Sequence, residues 1–227
     1  MTFWLVFAGC VLGSFLLGGV PFGLLVGRLH GIDVRKIGSG NVGAMNVGRI
    51  LGRKWFFVVF ALDLLKGLLP TLVGGWVLST VTPDAASETT RMICRLLVGL
   101  ASILGHNYSL FLGFHGGKGV STSLGVALGV YPDLTYPALM SFGMWVVGFG
   151  ATRMSSVGSL AGGVFFPVLY MLVLRWRGET VAEHWPFVTF AVLVAVMVVV
   201  RHRANIARIV AGTETRVVRG NGQRDGV

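Results

Sequence analysis

Charge is what this chain has least of. Only 12% of its 227 residues are charged and 54% are hydrophobic, whereas a soluble domain carries about a quarter charged residues. A soluble globular fold is excluded. The nine Asp and Glu are scattered, so the carboxylate clusters that hold catalytic cations are missing, and neither a metal nor any other cofactor is expected. The two cysteines, Cys10 and Cys94, sit in apolar runs without paired spacing and read as buried thiols rather than a disulfide or a zinc ligand set. None of the five histidines is followed five places later by Asp or Glu, which removes one familiar acid–base pair. A strand–turn–helix serine elbow is also missing, as is a cysteine beside any polar motif, so covalent catalysis is not expected.

What is present is a succession of apolar runs, each near the roughly 20 residues needed to cross about 30 Å of hydrocarbon. Seven spans are predicted, at about Phe3–Val26, Trp55–Leu78, Met92–Leu112, Val120–Tyr131, Leu134–Phe149, Val157–Leu174 and Trp185–Val200. The fold class is all-α, a polytopic transmembrane helical bundle. It forms one domain over residues 1–214, followed by a flexible basic tail over 215–227. The first run lacks a basic leader and a small-residue cleavage site, and reads as a retained span. Pro21 is expected to break it near its exit. In the second span Asp63 and Lys66 lie three apart and are expected to pair, or to face a polar cavity, since a lone mid-span lysine costs about 2.5–3.5 kcal/mol. The fourth span is short unless the glycine-rich stretch before it forms a re-entrant entrance.

The net charge of +10 raises the question of nucleic acid, but the basic residues lie between spans and in the tail. They mark the cytoplasmic side and an anionic ligand, and no nucleic-acid partner is expected. Arg28, Arg35, Lys36, Arg49, Arg53 and Lys54 crowd the first connection, and the tail is equally basic. The positive-inside rule therefore puts the N-terminus outside and the C-terminus in the cytoplasm, and Arg91 and Arg95 count mildly against that orientation. The same orientation brings all four unusual polar segments to the cytoplasmic face.

The first of these is KIGSGNVGAMNVGR, Lys36–Arg49, in which Ser39, Asn41 and Asn46 between glycines offer donors to an anion or polyol and Arg49 offers a bidentate fork. A flexible loop has the same composition. The second is GHNYSLFLGFHGGKGVSTS, Gly105–Ser123. Its Gly116, Gly117 and Gly119 let backbone N–H groups approach a ligand, Lys118 adds a point charge, and Ser121, Thr122 and Ser123 open the next helix at its partial-positive end. The spacing is not that of a nucleotide P-loop. His106 is a candidate base, although a lone histidine at a helix end is more often structural. The third segment holds Arg153, Ser155 and Ser156, residues equally suited to capping a helix. The fourth places His202 and Asn205 on one helical face, with Arg203 and Arg208 turned elsewhere.

Together GSGNVGAMNVGRILG, GHNYSLFLGFHGGKGVSTSLGV, RMSSVGS and HRANIARIVAGTE, in that order and spacing, resemble the bacterial acyl-phosphate:glycerol-3-phosphate acyltransferase family over nearly the whole chain. The resemblance implies a multi-pass enzyme of the bacterial plasma (inner) membrane that moves a fatty acyl group from acyl phosphate to the 1-position of sn-glycerol 3-phosphate. The products would be 1-acyl-glycerol 3-phosphate, which is lysophosphatidic acid, and phosphate, as the first step of phospholipid biosynthesis. It implies no cofactor, the lipid bilayer as surroundings, and functional coupling to the enzyme that makes acyl phosphate. It assigns Ser39, Arg49, Lys118, Ser155, Ser156 and Asn205 to holding the phosphates and glycerol backbone, and His202 to the pocket. Asn41, Asn46, His106 and Asn107 would shape the same site. Met45 and His115 depart from the threonine and lysine the family often has there. For the base, a substrate phosphate is favoured over His106 or His202. The competing reading is a phosphate or organic-anion transporter, which would instead gather its polar residues near the bilayer midplane in paired repeats.

Overall fold

A computed structural model describes residues 1–80 and 86–217 of the chain. Among these residues every regular element is helical: α1 (Thr2–Gly19), α2 (Phe22–Leu29), α3 (Ala44–Leu51), α4 (Arg53–Thr80), α5 (Glu88–Asn107), α6 (Val120–Gly129), α7 (Thr135–Thr152), α8 (Ser155–Arg177), α9 (Trp185–Arg201) and α10 (Arg203–Val210). A short 3-10 turn, Leu110–Leu112, follows α5. Pro21 does separate α1 from α2, because it lacks the N–H an unbroken helix would need.

Four stretches are long and apolar enough to cross a bilayer: Thr2–Leu29, Arg53–Thr80, Glu88–Leu112 and Ser155–Arg177. A fifth results if α9 and α10, bent by 59° at His202, count as one span. The seven-span expectation therefore meets its test at α6 and α7. At ten residues, α6 rises only about 15 Å, half the hydrocarbon thickness. α7 has 18 residues, but one proline, three glycines and several hydroxyls dilute its apolar character.

The helices alternate in direction. The first turns of α4, α6 and α8 and the last turns of α5, α7 and α9 consequently gather at one end, and the polar connections gather with them. α7 packs on α8, α1 on α5, and α4 lies against α5, α6 and α3. A main apolar cluster centred on Ile103, Val126, Leu134, Tyr170, Phe190 and Val194 joins α5, α6, α8 and α9. Buried hydroxyls lace the polar-poor interior by donating to carbonyls of neighbouring helices: Ser14 to Val98 (2.6 Å) and Ser102 to Lys66 (2.7 Å). In an apolar surrounding such groups carry a large cost if left unpaired.

Asp63 and Lys66 pair as their spacing requires, at 2.8 Å, with both side chains almost wholly buried. Lys66 Nζ also donates to the Val20 carbonyl at the α1–α2 break (2.8 Å). Arg95 is likewise explained by a partner. Its guanidinium donates to Gly129 O (2.6 Å) and Tyr131 O (3.5 Å), capping the open carbonyl end of α6.

The placement of α6 depends on small residues. A Cβ on Gly67 of α4 would meet the Thr122 carbonyl, and one on Gly125 of α6 would meet the Leu64 carbonyl, so the two backbones touch as only small residues allow. Gly125→Val should cost roughly 1–3 kcal/mol by overpacking and lower the melting temperature in detergent. Gly9→Ala, where an added Cβ meets nothing nearby, should leave it unchanged.

Candidate active site

The gathered end encloses a cavity of about 300 Å³, at the lower limit of small-molecule sites. Four cations line it, Arg49, Lys118, Arg201 and Arg208, with Ser39, Asn41, Asn46, His106, Ser155, His202 and Asn205 between them. All three expected catalytic candidates, Lys118, His106 and His202, therefore face one space. The first turns of α3, α6 and α8 reach it through Ala44, Val120 and Ser155, directing three partial-positive helix ends toward an anion.

Lys118 hangs from a turn held by backbone pairing. Gly117 N donates to His106 O (3.0 Å) and Gly116 N to Asn107 O (3.2 Å). Gly119, which caps α6, has φ +77°, a conformation natural only to glycine. From that turn Lys118 Nζ reaches Asn205 Oδ1 at 2.5 Å. Asn205 Nδ2 donates onward to Glu214 Oε1 (2.6 Å), which also accepts from Ser156 Oγ (2.7 Å), while Arg208 Nε donates to Glu214 Oε2 (2.8 Å). Burial opposes the charge on Glu214, but the bonds from Ser156, Asn205 and Arg208 outweigh it and hold the carboxyl below its usual range. Burial also pushes Lys118 down to about 8, assisted by Arg208, Arg49 and Arg201 and opposed by Glu214. It lowers Arg49 as well, although a guanidinium stays charged.

Several expected site residues spend their polar atoms on the main chain or lie buried behind the lining. Asn46 lines the cavity, yet its amide is spent on the loop: Nδ2 donates to Val34 O and Ile37 O, and Oδ1 accepts from Ser39 N. It shapes the Lys36–Arg49 loop and has no donor left to offer. Asn41 accepts from Gly43 N in the same way (2.8 Å) and sets the entry to α3. Thr122 donates to Asp63 O (3.0 Å), joining α6 to α4 away from the cavity, and Asn107 is buried beneath the turn. Gly116 and Gly117 offer their carbonyls to Arg201 (3.1 and 2.7 Å). They orient a cation and are not themselves part of the lining. Ser156 acts through Glu214, whereas Ser155 faces the space. Arg153 caps α7 with φ +60° and accepts from Val217 N (2.8 Å).

The bend at His202 corrects the expectation for Arg208, which lines the cavity instead of pointing away. Sequence reasoning also passed over Arg201 and Glu214 as site residues, whereas Asp63, expected to pair or to face a polar cavity, does both. Arg201 stacks over Tyr108 (5.3 Å). The signal for Glu214 was a lone acid amid the basic fourth segment. In the expected tail, Thr215 lines the cavity and Val217 is tied to Arg153; residues 218–227 lie outside the described chain.

A second, apolar cavity of about 80 Å³ adjoins the first, and Phe60, Val120, Ser121, Trp145 and Ser159 line both. It runs between α4, α6, α7, α8 and α9 past Leu124, Phe142, Phe166 and Val194. Phe142 and Trp145 stack in parallel along it, with ring centres 6.0 Å apart.

Comparison with known proteins converges on one family. The family profile described as glycerol-3-phosphate acyltransferase matches residues 8–212. A glycerol-3-phosphate acyltransferase of Anaeromyxobacter sp. (strain Fw109-5) is 42% identical over 91% of this chain and 94% of its own. One from Aquifex aeolicus is 37% identical over 91% and 96%. Among solved structures, PlsY, an integral membrane glycerol 3-phosphate acyltransferase in its glycerol 3-phosphate form, aligns with TM-score 0.75 and 37% identity over 93% of this chain and 96% of that one. Its lysophosphatidic acid form aligns with TM-score 0.74. A cation-lined cavity that shares a wall with an apolar slot within a membrane helical bundle thus accompanies similarity over nine-tenths of the chain, and the chain belongs to the glycerol-3-phosphate acyltransferase family.

Proposed function

We propose that this membrane acyltransferase uses acyl phosphate as donor and esterifies the 1-hydroxyl of glycerol 3-phosphate, giving lysophosphatidic acid and inorganic phosphate. The observation that carries the reading is the junction of the two cavities. Arg49, Lys118, Arg201 and Arg208 offset the mutual repulsion of two phosphate-bearing substrates at one end, and the adjoining apolar slot suits a fatty chain. The solved relatives bearing glycerol 3-phosphate and lysophosphatidic acid support substrate and product of the same kind.

In this mechanism Arg49, Ser39 and Asn205 hold glycerol 3-phosphate while Lys118 and the turn around it face the acyl phosphate. The 1-hydroxyl oxygen attacks the acyl carbonyl carbon, the bond from that carbon to the phosphate oxygen breaks, and phosphate leaves with the bonding pair. The hydroxyl proton passes to a substrate phosphate; His106 and His202 are the alternative acceptors. Phosphate is already a good leaving group, so positioning and oxyanion stabilisation suffice, and neither a metal nor a covalent enzyme intermediate is invoked. The chain runs in the bacterial inner membrane with seven passages, N-terminus outside, α6 being completed by its glycine-rich entrance. The basic connections support the cytoplasmic placement of the site, within reach of the enzyme that makes acyl phosphate.

Phosphate release from purified protein in lipidic mesophase should require both acyl phosphate and glycerol 3-phosphate, and preference for an acyl thioester would overturn the donor assignment. Lys118→Ala should lower kcat/KM by about 100–1,000-fold while the fold persists. Because burial lowers the Lys118 pKa to about 8, the charged form is lost as pH rises through that value. kcat/KM should fall on the basic side near pH 8, since it reports groups of the free enzyme, and Lys118→Arg should remove that limb whatever its residual rate. Ser141, which lines the apolar slot, offers a test of the acyl site. Ser141→Phe should shift the preference toward shorter acyl chains, read as kcat/KM across a chain-length series.

A further inference from the structure

Beneath the polar cavity lies a separate space of about 10 Å³, lined by Val20, Asp63, Lys66, His106 and Ser109 among others. Asp63 and His106 line both spaces and form the partition between them. His106 Nδ1 is fully buried and has no hydrogen-bond partner among the described residues. It stands 3.7 Å from Asp63 Oδ1, with both side chains more than nine-tenths buried. That distance is too long for a hydrogen bond, but a water about 2.8 Å from each atom spans it. The space matches the roughly 10–15 Å³ that one water requires, and the walls supply the two to four polar partners it needs.

We propose that this space is a built hydration site holding one water between His106 Nδ1 and the Asp63 carboxylate. Through that water Asp63 acts as a positioning residue for the Lys118 turn. The carboxylate is held by Lys66 at 2.8 Å, so it presents an acceptor to the water, which holds the His106 ring from its Nδ1 side. The His106 ring lies directly under Gly117, where an added Cβ would collide with Nε2. The His106 carbonyl accepts from Gly117 N (3.0 Å). Ring and main chain of one residue thereby set the height of the Gly116–Gly117–Lys118 turn, whose Gly117 carbonyl in turn aims Arg201 at 2.7 Å. The site lies about 15 Å along α4 from its start, where His106 and Asp63 stand between it and the polar cavity.

The catalytic consequence rests on the acyltransferase reading above, whereas the water does not. A crystal structure of the wild-type protein in lipidic mesophase, at a resolution that shows ordered water, should contain density within hydrogen-bonding distance of both His106 Nδ1 and Asp63. Direct contact between the two side chains, or a dry space, overturns the hydration site whether or not the protein turns over. For the positioning role, the charge-balanced variant Asp63→Asn/Lys66→Met avoids a lone buried cation. It should keep its melting temperature within a few degrees and lose kcat by about 100-fold, as expected when a turn of the site is misplaced by about 1 Å. KM for glycerol 3-phosphate should change little, because all four cations remain. Wild-type kcat in that double variant, or a loss in Asp63→Asn that Lys66→Met restores, would reduce Asp63 to a counter-ion for Lys66. A wild-type protein with ordered water but no turnover dependent on glycerol 3-phosphate would sink the proposed reaction and leave the hydration site standing.

Discussion

Like charges repel most strongly where water is scarce, and four cations face one cavity at the end of this bundle. Glu214 is the anion that makes the arrangement tolerable. Its two carboxylate oxygens take bonds from Ser156, Asn205 and Arg208, and Asn205 passes the contact on to Lys118. Segments that begin α6, begin α8 and end the chain are thereby fastened to one another across 58 to 87 positions of sequence. The cluster retains an excess of positive charge, which is what a second anion, the substrate phosphate, would neutralise.

A membrane bundle can sustain such an end only if its helices come close and its interior polar groups are answered. Gly67 and Gly125 bring α4 and α6 into backbone contact, and Thr122 ties the same pair through the Asp63 carbonyl. The broken first helix contributes through its defect. The Val20 carbonyl at the α1–α2 break receives the Lys66 ammonium, so a helix break and a buried charge satisfy each other. α6 is too short to be held by hydrophobic length and is held instead by Arg95 at one end and by the Gly119 cap at the other.

The two cavities separate the chemistry into a wet and a greasy half. Trp145 and Phe60 belong to both, so the apolar slot borders the cation-lined cavity directly. On the proposed reaction this proximity would confine the reacting ends of two dissimilar substrates to one place, which is much of what catalysis of an already activated acyl group requires.

Much of this was legible in the residues alone. The scarcity of charge fixed the membrane class, the 3-residue spacing of Asp63 and Lys66 fixed their pairing, and Pro21 fixed a break, because each follows from local geometry or from the cost of burial. The four polar segments, and Ser39, Arg49, Lys118, His202 and Asn205 within them, stood out as polar residues beside apolar spans, and the family resemblance singled them out from loops and caps of the same composition; all five line the cavity. Which polar atoms face the cavity was not readable. Asn46, Asn107 and Thr122 have the right chemistry but turn to main-chain partners or lie buried behind the wall, while Arg201, Arg208 and Glu214 join the site through a bend at His202 and through contacts between distant segments. Sequence determines the inventory and its local pairings, since these depend on neighbours one helical turn away. Only the tertiary structure decides orientation, since each buried polar group takes whichever partner the packing of distant helices brings within about 3 Å.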